Sequence, residues 1–105
     1  MSEYQFEIHR RAAKDLDSAP ADVRKRIGKK LREIVTNEWR DLLNFDVKQL
    51  QGTRNNIYWI RVGGWRIVFA IDEDTETVVI VGGDKPSGAY RNVDTFDERA
   101  DDYLS

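Results

Sequence analysis

From Ile57 to Ile71 the chain reads IYWIRVGGWRIVFAI, two aromatic-rich apolar runs joined by Gly63 and Gly64. Paired glycines between such runs predict a tight hairpin, because both central positions of a primed two-residue turn need a positive φ that glycine adopts without steric cost. The register follows from the turn. Val62 faces Trp65, Arg61 faces Arg66, Ile60 faces Ile67, Trp59 faces Val68 and Tyr58 faces Phe69. Side chains alternate across a strand. One face therefore carries Tyr58, Ile60, Val62, Trp65, Ile67 and Phe69, and the other carries Ile57, Trp59, Arg61, Arg66, Val68 and Ala70.

Elsewhere the apolar period changes along the chain. Tyr4, Phe6 and Ile8 alternate with Gln5, Glu7 and His9, as in a half-buried strand with His9 at its end on the surface. Ala12, Ala13 and Leu16 share one side of a short helix over Arg10 to Asp17. Pro20 suits the first position of a second helix and Asp22 its first turn, where a negative charge complements the helix dipole. Val23, Ile27, Leu31, Ile34 and Val35 then form a stripe that must be buried, and the helix gives way near Asn37. Gly28 weakens that helix by about 1 kcal/mol relative to alanine, which suggests a close approach there. Residues 39–45 read as a connector, residues 46–52 as a short strand ended by Gly52, and residues 77–83 as a last strand, apolar on both faces and hence interior. The order β-α-α-β-β-β predicts an α+β fold, an antiparallel meander with two N-terminal helices packed on one face. The uniformly apolar hairpin face must meet the helical stripe, which leaves the arginine face open.

Composition narrows the setting. With 105 residues and 40% hydrophobic positions the chain suits one domain with one core. It contains no cysteine, so disulfides and thiolate metal sites are excluded and a cytoplasmic setting is expected. The start of the chain lacks the apolar run of a signal peptide, no stretch has membrane-spanning length, and no membrane association is expected. The net charge of -2 conceals a split. Residues 93–105 hold Asp94, Asp97, Glu98, Asp101 and Asp102 against Arg99, giving -4 and leaving +2 for residues 1–92. Positive charge is bunched in the second helix, where Arg24, Lys25 and Lys29 stand with Arg26, Lys30 and Arg32. A basic helix beside an acidic tail suits a polyanion partner with a competitor for its site, or simply a solvated face and a solubilising tail. The tail could form a helix through Phe96, Ala100 and Leu104 and dock near Arg24, Lys25 and Lys29, or stay mobile.

The hairpin holds the candidate chemistry. Like charges directly opposite on two strands cost from some tenths to about 1 kcal/mol, so the Arg61 and Arg66 pair calls for a reason. Trp59 and Ile57 flank the guanidiniums, a mixture of stacking surface and fixed positive charge that suits single-stranded nucleic acid. Alternatively the arginines pair with acids such as Asp72 or those of the tail. No His, Asp and Glu set has metal-ligand spacing, the acids of residues 72–76 fall in a turn, and no glycine-rich loop precedes a helix. Neither a metal nor a cofactor is expected.

Residues 47–52, VKQLQG, the hairpin YWIRVGGWRIVFAID and the segment KPSGAYR at 85–91 resemble the RelE/ParE superfamily of toxins from toxin-antitoxin pairs, over about Tyr4 to Arg91. The resemblance implies a toxin domain over residues 1–92, followed by the acidic tail at 93–105. It further implies a ribonuclease fold that enters the ribosomal A site and cleaves mRNA, and a cognate antitoxin protein that silences it. By the same likeness Arg66 stabilises the scissile phosphate, Arg61 is the basic position on the preceding strand, Lys85 follows the last strand and Tyr90 stacks on RNA or moves a proton. Lys48, Trp59, Arg24, Lys25 and Lys29 are the expected RNA contacts. The chain departs from the pattern at Trp59, where many members carry a lysine or arginine, at Asp84, which adjoins the expected cation, and in its isoelectric point of about 5.4. A ParE-like inhibitor of DNA gyrase that cleaves nothing is the alternative the same likeness allows.

Overall fold

The computed structural model describes residues 5–33, 47–85 and 93–104. Along the chain these form β1 (Gln5–Ile8), α1 (Arg10–Asp17), α2 (Ala21–Glu33), β2 (Lys48–Gln49), β3 (Ile57–Val62), β4 (Trp65–Asp72), β5 (Thr77–Asp84) and α3 (Val93–Leu104). The strands make one sheet in the order β1-β5-β4-β3-β2. Expectations for Tyr4, for Ile34 and Val35, for the helix end near Asn37, for the connector at 39–45 and for Tyr90 lie outside the described residues. Among the described residues no helix is long and apolar enough to cross a membrane.

Gly63 and Gly64 turn the hairpin with φ of 58° and 83°, and every pair expected from Val62 opposite Trp65 to Tyr58 opposite Phe69 is present. The meander continues antiparallel from β4 into β5, where Val68 faces Gly82 and Phe69 faces Ile80, so Val81 is the extra residue of a bulge. β1 stands outside the meander. It runs parallel to β5, pairing Gln5 with Thr77 through Ile8 with Ile80, and makes the sheet mixed. The reason is its connection: β1 leads directly into α1, which lies against β5, and His9 N–H donates to the Ile80 carbonyl at 2.9 Å as the chain turns into the helix.

As an edge strand with one neighbour, β1 is not half-buried as its alternation predicts. Phe6 and Ile8 remain 39% and 40% exposed. They line an apolar cavity of about 240 Å³ with Gly28, Leu31 and Arg32. The close approach expected at Gly28 is absent, since an added Cβ would meet nothing within 4 Å. His9 also departs from expectation, being 2% exposed. It caps α1, its Nδ1 accepting from Arg11 N–H at 3.1 Å, which places the ring proton on Nε2 toward Asp102 Oδ2 at 2.8 Å.

Both faces of the sheet are covered. On one, Val23, Ile27 and Leu31 of α2 pack with Ile60, Val62, Trp65, Ile67 and Phe69, as the two periodicities require. On the other, Phe96 and Ala100 of α3 bury Ile57, Val68, Ala70, Val79 and Val81. The acidic segment is therefore a docked helix, and its seat is the sheet rather than the basic surface of α2. Ile57 is removed from the open face by the same contact. The apolar spacing of Phe96, Ala100 and Leu104 explains the choice, because Ile57, Val68, Ala70, Val79 and Val81 offer apolar area that charged α2 side chains do not.

Two glycines at the end of β5 admit helices on opposite sides. A Cβ on Gly82 would stand 2.4 Å from the Phe96 ring, and one on Gly83 2.5 Å from Leu16 of α1. Overpacking of this kind typically costs about 1–3 kcal/mol. Gly82→Ala should lower the urea midpoint accordingly, and an unchanged midpoint would show that α3 does not sit tightly on β5.

Two acids of α3, Asp97 and Asp101, are held by the loop before β3. Asp97 is 3% exposed and accepts from Arg54 N–H at 2.9 Å and Asn55 N–H at 3.0 Å, tying the loop before β3 to the helix. Asp101 accepts from Arg54 Nη2 at 2.6 Å and Asn55 Nδ2 at 3.0 Å. Arg99 reaches across the end of β5, donating to the Val81 carbonyl at 2.8 Å and to Asp15 of α1 at 3.1 Å. Burial raises the Asp97 carboxyl pKa, but the hydrogen bonds from Asn55 and Arg54 outweigh it and hold the group below its ordinary value. Asp101 is likewise lowered, by its bonds from Asn55 and Arg54. A depressed carboxylate contributes stability that is present above its unfolded pKa, about 3.9, and is lost as pH falls through the lower folded value. Unfolding free energy should thus decline on acidification below about pH 4, with a shallower slope in Asp97→Asn. Equal slopes would exclude Asp97 as a source.

Candidate functional site

The open part of the sheet is the hairpin end beyond the reach of α3. Strand alternation places Trp59 and Arg61 of β3 on this face with Arg66 of β4, and the pairing of Lys48 with Trp59 adds β2. Arg61 and Arg66 are direct register partners. Arg61 is exposed, while Arg66 and Trp59 are half-buried. The Arg66 guanidinium lies 4.9 Å from the Trp59 ring centroid, the Lys48 ammonium 5.7 Å and the Arg61 guanidinium 6.0 Å. Attraction of this type is worth about 0.5–1 kcal/mol at exposed sites, comparable to the like-charge cost of the arginine pair. The repulsion that the sequence implies is thus offset by an aromatic ring placed among the cations.

Asp84 completes the surroundings. It is buried and is the register partner of Arg66, so it stands across from the arginine as well as next to Lys85 in the chain. That position depends on the bulge at Val81, which shifts the end of β5 by one residue, and an undistorted alternation does not reveal it. Asp72, offered above as an arginine partner, is at the far end of β4, opposite Thr77, where it accepts from Asp74 N–H at 3.0 Å. The acids of α3 described above are bound to Arg54, Asn55 and His9, not to the arginine pair.

The remaining site residues divide. Lys85 is exposed directly after β5. Lys29, with Arg26, Lys30 and Glu33 of α2, lines a cavity of about 330 Å³ whose other wall is Arg61 and Val62. Basic helix and hairpin tip therefore meet through Arg61. Arg24 and Lys25 are exposed on α2 but do not line that cavity. Arg26 and Lys30 are the basic residues that sequence reasoning did not single out there. Their signal was the helical spacing of three and four that puts Arg26, Lys29 and Lys30 side by side.

Arranged this way, β2, β3 and β4 present three cations within about 6 Å of one ring. Planar guanidiniums can grip two oxygens of a phosphate at once, and an ammonium adds a point charge. The site can therefore bind a phosphoryl group and stabilise charge that grows on it.

Comparison with known proteins bears on the family and the fold. The family described as phage derived protein Gp49-like (DUF891) matches residues 14–99. Toxin RelE3 of Methanocaldococcus jannaschii is 37% identical over 62 residues, 59% of this chain and 69% of that protein. A chain of the crystal structure of the archaeal RelE-RelB complex from Pyrococcus horikoshii superposes with a TM-score of 0.66 at 26% identity, over 83% of this chain and 99% of the other. A mutant of E. coli toxin RelE in the free state shares the fold, with a TM-score of 0.67 at 21% identity over 97% of this chain and 99% of that one. By the match over most of its length and by its fold, this chain belongs to the phage-derived Gp49-like family within the RelE-like toxin superfamily.

Proposed function

We propose that the chain is the toxin of a RelBE-type toxin-antitoxin pair and acts as a ribosome-dependent endoribonuclease that cleaves mRNA in the A site. The observation that carries this reading is the direct pairing of Arg61 with Arg66 around Trp59 on the open hairpin end. Two like charges stand directly opposite each other, and with Lys48 beside the same ring they make a cationic surface suited to an anion.

In the proposed reaction the ribose 2′-oxygen attacks the adjacent phosphorus in line, the bond to the 5′-oxygen breaks, and a 2′,3′-cyclic phosphate forms. Arg66 and Arg61 bind the non-bridging oxygens, whose negative charge rises in the transition state. Lys85 gives a proton to the departing 5′-oxygen. Lys48 or Tyr90, in its unprotonated form, takes the proton of the attacking 2′-hydroxyl. Lysine and tyrosine are weak bases at neutral pH, with ordinary pKa values of about 10, so alignment of the strand by the ribosome accounts for much of the rate. Lys29, Arg24 and Lys25 hold flanking RNA phosphates, and no metal takes part. The partner that silences the toxin is an antitoxin protein, a reading supported by the RelE-RelB complex from Pyrococcus horikoshii.

The test is primer extension on a defined mRNA in a translating extract, beside a gyrase supercoiling assay. Cuts at codons in the A site, dependent on ribosomes, are expected. Inhibited supercoiling with intact mRNA would replace this function with the gyrase-directed one.

A further inference from the structure

We propose that Trp59 is a positioning residue, which assembles Lys48, Arg61 and Arg66 into one anion site before any substrate arrives. This deepens the ribonuclease reading and rests on it for the identity of the anion as an RNA phosphate. Trp59 adjoins all three cations in the sheet: Lys48 is its register partner on β2, Arg61 lies two residues along β3, and Arg66 sits diagonally on β4, two residues from its partner Val68. The three charged groups lie 4.9–6.0 Å from its ring centroid. A ring engaged in this way has its negative face turned to the protein's own cations, so it serves the phosphate rather than offering a free platform to a base. Without it, the exposed Lys48 and Arg61 would lose the surface that draws them toward Arg66, and binding would have to gather the three charges again.

The probe is inorganic phosphate at low ionic strength, followed by NMR at the Nε–H groups of Arg61 and Arg66. Unmodified protein should show saturable shifts. Trp59→Leu should weaken apparent phosphate affinity by roughly three- to tenfold, the scale of lost cation–π contacts, while Trp59→Phe should restore most of it. Cleavage by Trp59→Leu should fall in kcat more than KM changes, because the cations bind most strongly in the transition state. Phosphate affinity unchanged in Trp59→Leu overturns the proposal, as does the absence of saturable shifts in the unmodified protein. Loss of single-stranded RNA binding with phosphate binding intact also overturns it, since the ring would then be a base-stacking surface. If Trp59→Leu fails to fold, the indole Nε1–H of unmodified protein carries the test, and an indole that does not shift at phosphate saturation overturns the assignment. A phosphate site that behaves as expected in a protein that cuts no mRNA would leave Trp59 in this role and remove the ribonuclease reading.

Discussion

Arg66→Ala is expected to abolish detectable ribosome-dependent cleavage and to relieve growth arrest on expression while the protein remains folded. Arg66 is the closest cation to Trp59, half-buried, and fixed by β4 between its partners Arg61 and Asp84. Removing one preorganised donor from a site that stabilises developing negative charge typically costs on the order of a hundredfold or more in rate. Its effect on stability has three parts. Truncation relieves the repulsion with Arg61 and loses the contact with Trp59, two effects of opposite sign that are each about 1 kcal/mol or less, and it removes the cation across from buried Asp84, which lowers stability. Single-turnover cleavage on programmed ribosomes and a urea titration separate the two quantities. A folded Arg66→Ala protein that cuts at the normal rate would reject the phosphate-stabilising role.

Phe96→Ala should cost about 3–5 kcal/mol, the range for removing a buried aromatic side chain. Phe96 is 3% exposed and is the anchor by which α3 covers Ile57, Val68, Ala70, Val79 and Val81. Its ring also fills the space left by Gly82, so the cavity cannot close from that side without moving β5. Such a loss is a large part of the total stability of a domain this size, typically about 5–15 kcal/mol. Removal of residues 93–105 should be more severe, exposing that apolar face and causing aggregation. Equilibrium unfolding in urea measures the first and light scattering the second. A Phe96→Ala midpoint close to that of the unmodified protein would mean that α3 adds little to the core.

The hairpin was legible in the sequence because its determinants are local. Two glycines set the turn, the turn sets the register, and period-two alternation then assigns each side chain to a face, so Arg61 opposite Arg66 beside Trp59 needed no tertiary information. The stripe of Val23, Ile27 and Leu31 was legible for the same reason, as was the apolar face it covers. Nonlocal choices were not. That β1 joins β5 in parallel, that His9 is buried as the cap of α1, and that Asp97 serves Arg54 and Asn55 all depend on segments distant in the chain meeting in space. An acidic run reads as solvated when charge is counted, yet α3 docks because Phe96 and Ala100 are matched by an apolar sheet face whose extent appears only after the strands assemble. The register of Asp84 with Arg66 required the bulge at Val81, which no alternation rule contains. Sequence by itself thus determined the hairpin, its two arginines and the helical stripe that covers the opposite face. Tertiary structure decided how much of the arginine face stays open, because burial of apolar area by a remote helix is a property of the assembled surface and not of any one segment.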